Sequence, residues 1–248
     1  MDKEAAKHHR EAHIHGEKHF FSKFQDYLGE FVYGAIDGSV TTFAVVAGAA
    51  GAGLDSAVVI ILGFANLIAD GFAMSVGSYL STKSEQQNYH KHKQIEYWEV
   101  DHMPEKEREE IREIYAAKGF EGDLLDQVVA TITADKDRWV DVMMKEELEM
   151  AEGTKSPLAM GSVTFISFIS LGFIPLIIYV GDYIQPISAD LFLISSLLTG
   201  VCFLGIGYLK SIVTNTPKLQ SIMETLLLGG AAATLSYFVG NILERIIS

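Results

Sequence analysis

Residues 31–81 constrain the fold more than any other stretch of this chain. FVYGAIDGSVTTFAVVAGAAGAG, then VVIILGFANLIADGFAMSVGSYLS, are each long and apolar enough to cross a bilayer, which takes about 20 mostly apolar residues. Yet Asp37, Asn66 and Asp70 stand inside these runs. A carboxylate at bilayer depth costs roughly 2.5 kcal/mol or more, so one that is kept there marks an ion or proton path by default.

Composition points the same way. The chain has 248 residues, 49% of them hydrophobic, and still carries a formal net charge of -13. With a mean hydropathy of +0.21, that combination fits apolar and charged parts segregated along the length rather than one soluble domain. The acidic balance excludes nucleic acid as an expected partner and favours cations. The single Cys202 rules out an intramolecular disulfide framework and a multi-cysteine zinc site. The first thirty residues are charged and hold His8, His9, His13, His15 and His19, with neither the apolar core nor the cleavage site of a signal peptide. They read as a solvated segment or as a weak metal-collecting tail. Phe20, Phe24, Tyr27 and Phe31 then repeat at helical spacing, which predicts a short amphipathic helix in the membrane interface over 20–30.

Hydropathy places five transmembrane helices near 32–53, 57–80, 158–180, 189–209 and 222–244. The expected fold is therefore an all-α integral membrane protein. The turn at 53–56 is so short that the first two spans form a hairpin. Lys and Arg are abundant in 1–30 and 81–157, absent from the 53–57 and 181–189 turns, and present again as Lys210 and Lys218. That alternation predicts a multi-pass protein with a cytoplasmic N-terminus and the C-terminus across the membrane. Four parts follow: 1–30, the spans of 31–81, an inserted cytoplasmic segment over 82–157, and the spans of 158–248. The inserted segment is acidic and helical. Pro104 opens a helix that Gly119 closes, and further helices are expected over 124–134 and 137–152. At roughly seventy residues it is marginal alone, so a second copy or bound metal is expected to stabilise it.

In the second span Asn66, Asp70 and Met74 recur every four residues on one helix face. In the first, Gly34, Asp37 and Thr41 share a face, and Gly34 with Gly38 permits close backbone approach. Two carboxylates, an amide and a thioether suit a borderline first-row divalent cation. Asp37 also reads as a residue snorkelling to the interface, and Met74 as packing filler. In the acidic segment Glu96 and Glu99, Glu107 and Glu110, and Glu110 and Glu113 are i, i+3 pairs that can bridge a cation or simply face water. Met143, Met144 and Glu147 add two thioethers and a carboxylate within about a turn. Glu99 and His102 form a single Glu-x-x-His, the element of di-iron bundles.

With these residues in place, the chain resembles the vacuolar iron transporter family from about residue 25 to its end. YGAIDGSVTTFAVVAG, GFAMSVGSYLSTKSE and DRWVDVMMKEELEM carry the likeness. The resemblance implies a homodimer embedded in lipid that exports Fe²⁺, with Mn²⁺, Co²⁺ or Zn²⁺ as further candidates, out of the cytosol against protons. It uses no organic cofactor and is a transporter rather than an enzyme, in a vacuolar membrane or a bacterial cytoplasmic one. It implies Asp37 and Met74 as pathway ligands, and Glu96, Glu99, Glu107, Glu110, Glu147, Met143 and Met144 as metal ligands of the inserted domain. One departure stands out: this chain has Asn66 where the plant-type pattern has Glu, and Asp70 where it has Gly. The carboxylate stands one helical turn further along the same face. Two rivals from other classes are a membrane-anchored ferritin-like iron oxidase and a metal sensor whose spans only anchor a binding domain.

Overall fold

A computed structural model describes residues 19–247, and the side chains of 27–247. The metal-collecting tail expected at His8, His9, His13 and His15 lies outside the described residues, as does the side chain of His19. Among the described residues the chain is helical and contains no strand. Five helical stretches are long and apolar enough to cross a membrane. The chain divides into two compact units, residues 80–157 and the remainder.

The apolar unit begins with α1 (His19–Gly51), 33 residues without a break. The separate interfacial helix expected over 20–30 is instead the first part of α1, because polarity changes near residue 30 while nothing there stops a helix. Gly51 ends it. Gly53 lies at φ 64, and Leu54 N–H donates to the Ala49 carbonyl at 3.0 Å, closing the turn. α2 (Ser56–His102) follows and runs for 47 residues, its apolar first half in this unit and its polar second half in the other. We take only the apolar half, 57–80, as membrane-spanning.

The third span is interrupted. α6 (Pro157–Gly172) gives way to a single 3-10 turn, Ile174–Leu176, before α7 (Ile177–Ile184). Pro175 has no N–H to donate and breaks the helical ladder. The Pro175 carbonyl is satisfied by the buried Ser195 hydroxyl at 2.7 Å, from α8 (Leu191–Thr214). α9 (Lys218–Ile247) completes the unit and packs along α1 and α8.

Small residues set these packings. A Cβ on Gly172 would lie 2.7 Å from the Gly38 carbonyl oxygen, and one on Gly38 would run into the Phe168 carbonyl oxygen. With no hydrophobic force between helices in lipid, such close approach supplies dispersion contacts. Several helix hydroxyls bond within their own helix, as where Ser39 donates to the Ala35 carbonyl at 2.6 Å.

The acidic unit holds the second half of α2 together with α3 (Pro104–Ala117), α4 (Gly122–Thr133) and α5 (Lys136–Glu146). Leu125, Val129 and Ile132 line one face of α4 and join Tyr89, Val100, Ile111, Trp139, Val140, Met143 and Met144 in a single core. Lys93 pairs with Asp141 at 2.9 Å and Lys136 with Asp101 at 2.6 Å, tying α2 to α5. α5 starts on a side-chain cap, with Asp135 accepting from the Arg138 N–H at 2.8 Å. It ends at Glu146 rather than continuing to 152. Glu147 and Leu148 both donate to the Met143 carbonyl, and Glu149 enters the left-handed region at φ 51.

Candidate functional site

The first group lies along α1 and α2. Asp37 is half-buried. The Thr41 hydroxyl, on the same face, is taken up by the Asp37 carbonyl at 2.8 Å, which leaves the Asp37 carboxylate free of it. Asp70 is exposed, on the face it shares with Asn66 and Met74, while Ile68, Phe72 and Val76 are exposed on another side of the same helix. Asp37 and Asp70 are thus one carboxylate in the apolar stretch of each of two successive helices. Asn66 has a buried Nδ2 with no hydrogen-bond partner. An orphaned amide donor costs about 1–3 kcal/mol, which a residue serving only to pack would not retain. Met74 is half-buried and packs against a core that includes Val46, Val59, Leu67, Phe168 and Leu176.

Glu30 extends this track and was missed from the sequence. It stands seven residues before Asp37, two turns along the same helix face. Its Oε1 accepts from the Ser78 hydroxyl at 2.7 Å and faces the Thr164 hydroxyl, which also lies 2.9 Å from the Met160 carbonyl. Ser78 continues the Asn66–Asp70–Met74 spacing by one more step of four. Helical periodicity contained both signals. Setting the apolar segment to begin at residue 31 cut Glu30 away.

The second group is in the acidic unit. Glu96 from α2, Glu107 from α3 and Glu147 at the end of α5 each offer a carboxylate oxygen within 4.8 Å of the others. Glu96 is 4% exposed and Glu107 1%. One oxygen of Glu96 and both of Glu107 are buried without a hydrogen-bond partner. Burial first, then the charges of Glu147, Glu99, Glu107 and Glu110, push the Glu96 carboxyl up to about 7. Burial and then Glu110 and Glu99 push Glu107 to about 7, against an opposing pull from Lys106. The more exposed Glu147 is raised as well, by desolvation of its carboxyl and then by Glu110. Three converging oxygens with no protein donor suit a hard or borderline divalent cation, which would displace protons as it bound.

Of the other expected ligands, Glu99 and Glu110 act on this group by charge, and Glu110 also pairs with Lys106 at 2.8 Å. Glu113 is exposed and outside the three-carboxylate group. His102 is outside it too. Its ring stacks on Trp98 with centroids 4.5 Å apart, and its Nδ1 lies 2.8 Å from the Trp98 carbonyl oxygen. Met143 and Met144 are fully buried in the apolar core of the unit.

Comparison with known proteins gives the family. The model of the VIT family matches residues 28–241. A vacuolar iron transporter of Toxoplasma gondii is 33% identical over 229 residues, covering 90% of this chain and 76% of its own length. Vacuolar iron transporter 1 of Arabidopsis thaliana is 30% identical over 232 residues, 93% of this chain and 91% of the relative. A vacuolar iron transporter of Plasmodium falciparum is 30% identical over 257 residues, spanning 100% of this chain and 93% of the relative. A family match that takes in both carboxylate groups and all five apolar helices leaves one assignment: the chain belongs to the VIT family.

Proposed function

We propose that this protein exports ferrous iron from the cytosol across its membrane in exchange for protons, acting as a homodimer. The observation that carries the reading is the presence of two carboxylates, Asp37 and Asp70, within helices otherwise apolar enough to cross a bilayer. The relatives named vacuolar iron transporter supply the metal. On this reading the acidic unit faces the cytosol with the N-terminus, and Glu96, Glu107 and Glu147 capture Fe²⁺ there, with Glu99 and Glu110 adding negative field. Asp37 and Met74 ligate the ion within the membrane. Glu30 lies on the same track, and Asp37 or Asp70 carries the returning proton. The host membrane is a vacuolar one or a bacterial cytoplasmic one. Mn²⁺, Co²⁺ and Zn²⁺ satisfy the same oxygen ligands less selectively.

The mechanism is a matter of charge balance. A divalent cation cannot enter a low-dielectric segment uncompensated, and two carboxylates neutralise it there. Once it leaves, the same two carboxylates repel each other, and taking up a proton relieves the repulsion. Metal in one direction and protons in the other then use one pair of groups.

Reconstitution into liposomes tests this reading. Fe²⁺, Mn²⁺, Co²⁺ and Zn²⁺ are offered in turn, with and without an inside-acid gradient, while proton efflux is followed. The expected result is Fe²⁺ uptake stimulated by the gradient and matched by proton release. Oxygen consumption with Fe²⁺ and no uptake would point to an iron oxidase instead. Metal binding without uptake of any ion would point to a sensor.

A further inference from the structure

The acidic group contains one feature that a simple cation trap does not need. Lys106, on α3 beside Glu107, places its ammonium 2.8 Å from Glu110 Oε1 and 3.7 Å from Glu107 Oε1. Its side chain is 60% exposed, so it reaches the group from solvent rather than packing within it. Among the charges that act appreciably on Glu107 and Glu147, Lys106 is the positive one, set against several carboxylates. Four other cations of this unit pair elsewhere: Lys93 with Asp141, Arg112 with Asp126, Lys118 with Glu146 and Lys136 with Asp101. Glu107 is 1% exposed and accepts no hydrogen bond at either oxygen, so its charge has Lys106 nearby but no donor in contact.

We propose that Lys106 is a tethered competitor for the cation site: its ammonium offsets the carboxylate charge before metal arrives, gives way when metal binds, and returns to hasten release. The inference rests on the reading that Glu96, Glu107 and Glu147 bind metal. A transporter needs such a device. Three converging carboxylates, two of them buried, with nothing to oppose the ion would hold it tightly, and a neighbouring ammonium lowers that affinity because like charges at this range repel. Lys106 has a flexible four-carbon stem and a compact charge, so it can withdraw to water without disturbing the core.

The test uses the full-length protein in lipid nanodiscs, titrated anaerobically with Fe²⁺ against a chromogenic chelator, with release followed by stopped flow. Four forms are compared: the unaltered chain, Lys106→Gln, Lys106→Arg and Glu107→Gln. Lys106→Gln is expected to tighten the binding phase that Glu107→Gln abolishes by about tenfold and to slow release by a similar factor. Lys106→Arg should stay near the unaltered protein, and the Gln effect should shrink in 0.5 M salt, about where exposed charges are screened within a few ångströms. Unchanged or weaker binding in Lys106→Gln, with Glu107→Gln still abolishing the phase, overturns the inference and leaves the metal site standing. Unchanged binding in both variants overturns the site and the inference with it.

Discussion

Glu107 is 1% exposed, and neither of its carboxylate oxygens has a hydrogen-bond partner. Its carboxyl and that of Glu96 sit at about 7 when folded, against an ordinary value of 4.5. The folded protein therefore keeps protons that the unfolded chain gives up, and the sign follows. The stabilisation from these protons is full below about pH 4.5 and is lost as pH rises through about 7. Metal binding runs the opposite way, because the cation must displace those protons. The metal-free protein should accordingly melt at a lower temperature at pH 8 than at pH 5.5. Fe²⁺ should stabilise it strongly at pH 8 and little at pH 5.5. Anaerobic thermal melts at the two pH values check this, and a metal effect independent of pH would count against carboxylate ligation. Sequence spacing drew attention to pairs within one helix. The i, i+3 rule found Glu96, Glu99, Glu107 and Glu110 but gave Glu113 equal standing, with His102 as an accessory. It could not show that Glu96, Glu107 and Glu147 meet, since that depends on how α2, α3 and α5 pack.

At the scale of elements, five apolar helices were legible because hydropathy over about 20 residues is a strong signal. Their ends were less so. α1 and α2 both continue through a change in polarity, and a helix stops at a breaker or a cap rather than at a change of solvent. The interruption at Pro175 follows the opposite logic, a breaker inside an unbroken apolar run. The crossings of these helices depend on glycine. Gly38→Val would drive a side chain into the Phe168 backbone, which cannot rotate aside. It should cost about 1–3 kcal/mol or more, seen as a lower melting temperature and loss of a monodisperse peak in detergent. Gly205→Ala has nothing within 4 Å of the added carbon and should leave both unchanged. Equal effects from the two substitutions would show that close backbone approach is not what holds α1 against α6.

At the scale of the whole molecule, the exposed face of α2 is the outstanding feature. A carboxylate facing lipid at mid-span costs about 2.5 kcal/mol or more, so the exposed Asp70 favours a polar cover. On the proposed homodimer, a second copy would supply one where the same stripe meets itself across a twofold axis. With the buried Cys202 changed to Ser, an Asp70→Cys chain should cross-link to a dimer under mild oxidation in native membranes, whereas Leu235→Cys, on the exposed face of α9, should not. Cross-linking at Leu235 in place of residue 70 would put the interface elsewhere. Departure from the plant-type pattern at Asn66 and Asp70 keeps one carboxylate on the stripe, so the total charge available to balance a divalent ion is unchanged.

The central claim is that Asp37 handles the ion within the membrane, and flux through Asp37→Ala tests it most directly. Proteoliposomes with an inside-acid gradient should take up Fe²⁺ through the unaltered protein and show a loss of at least about a hundredfold in Asp37→Ala, roughly 2.7 kcal/mol on the barrier. Fe²⁺ binding at the acidic unit should be unchanged in that variant. Uptake at the unaltered rate in Asp37→Ala would contradict the account, because no ion path through α1 would then depend on its carboxylate.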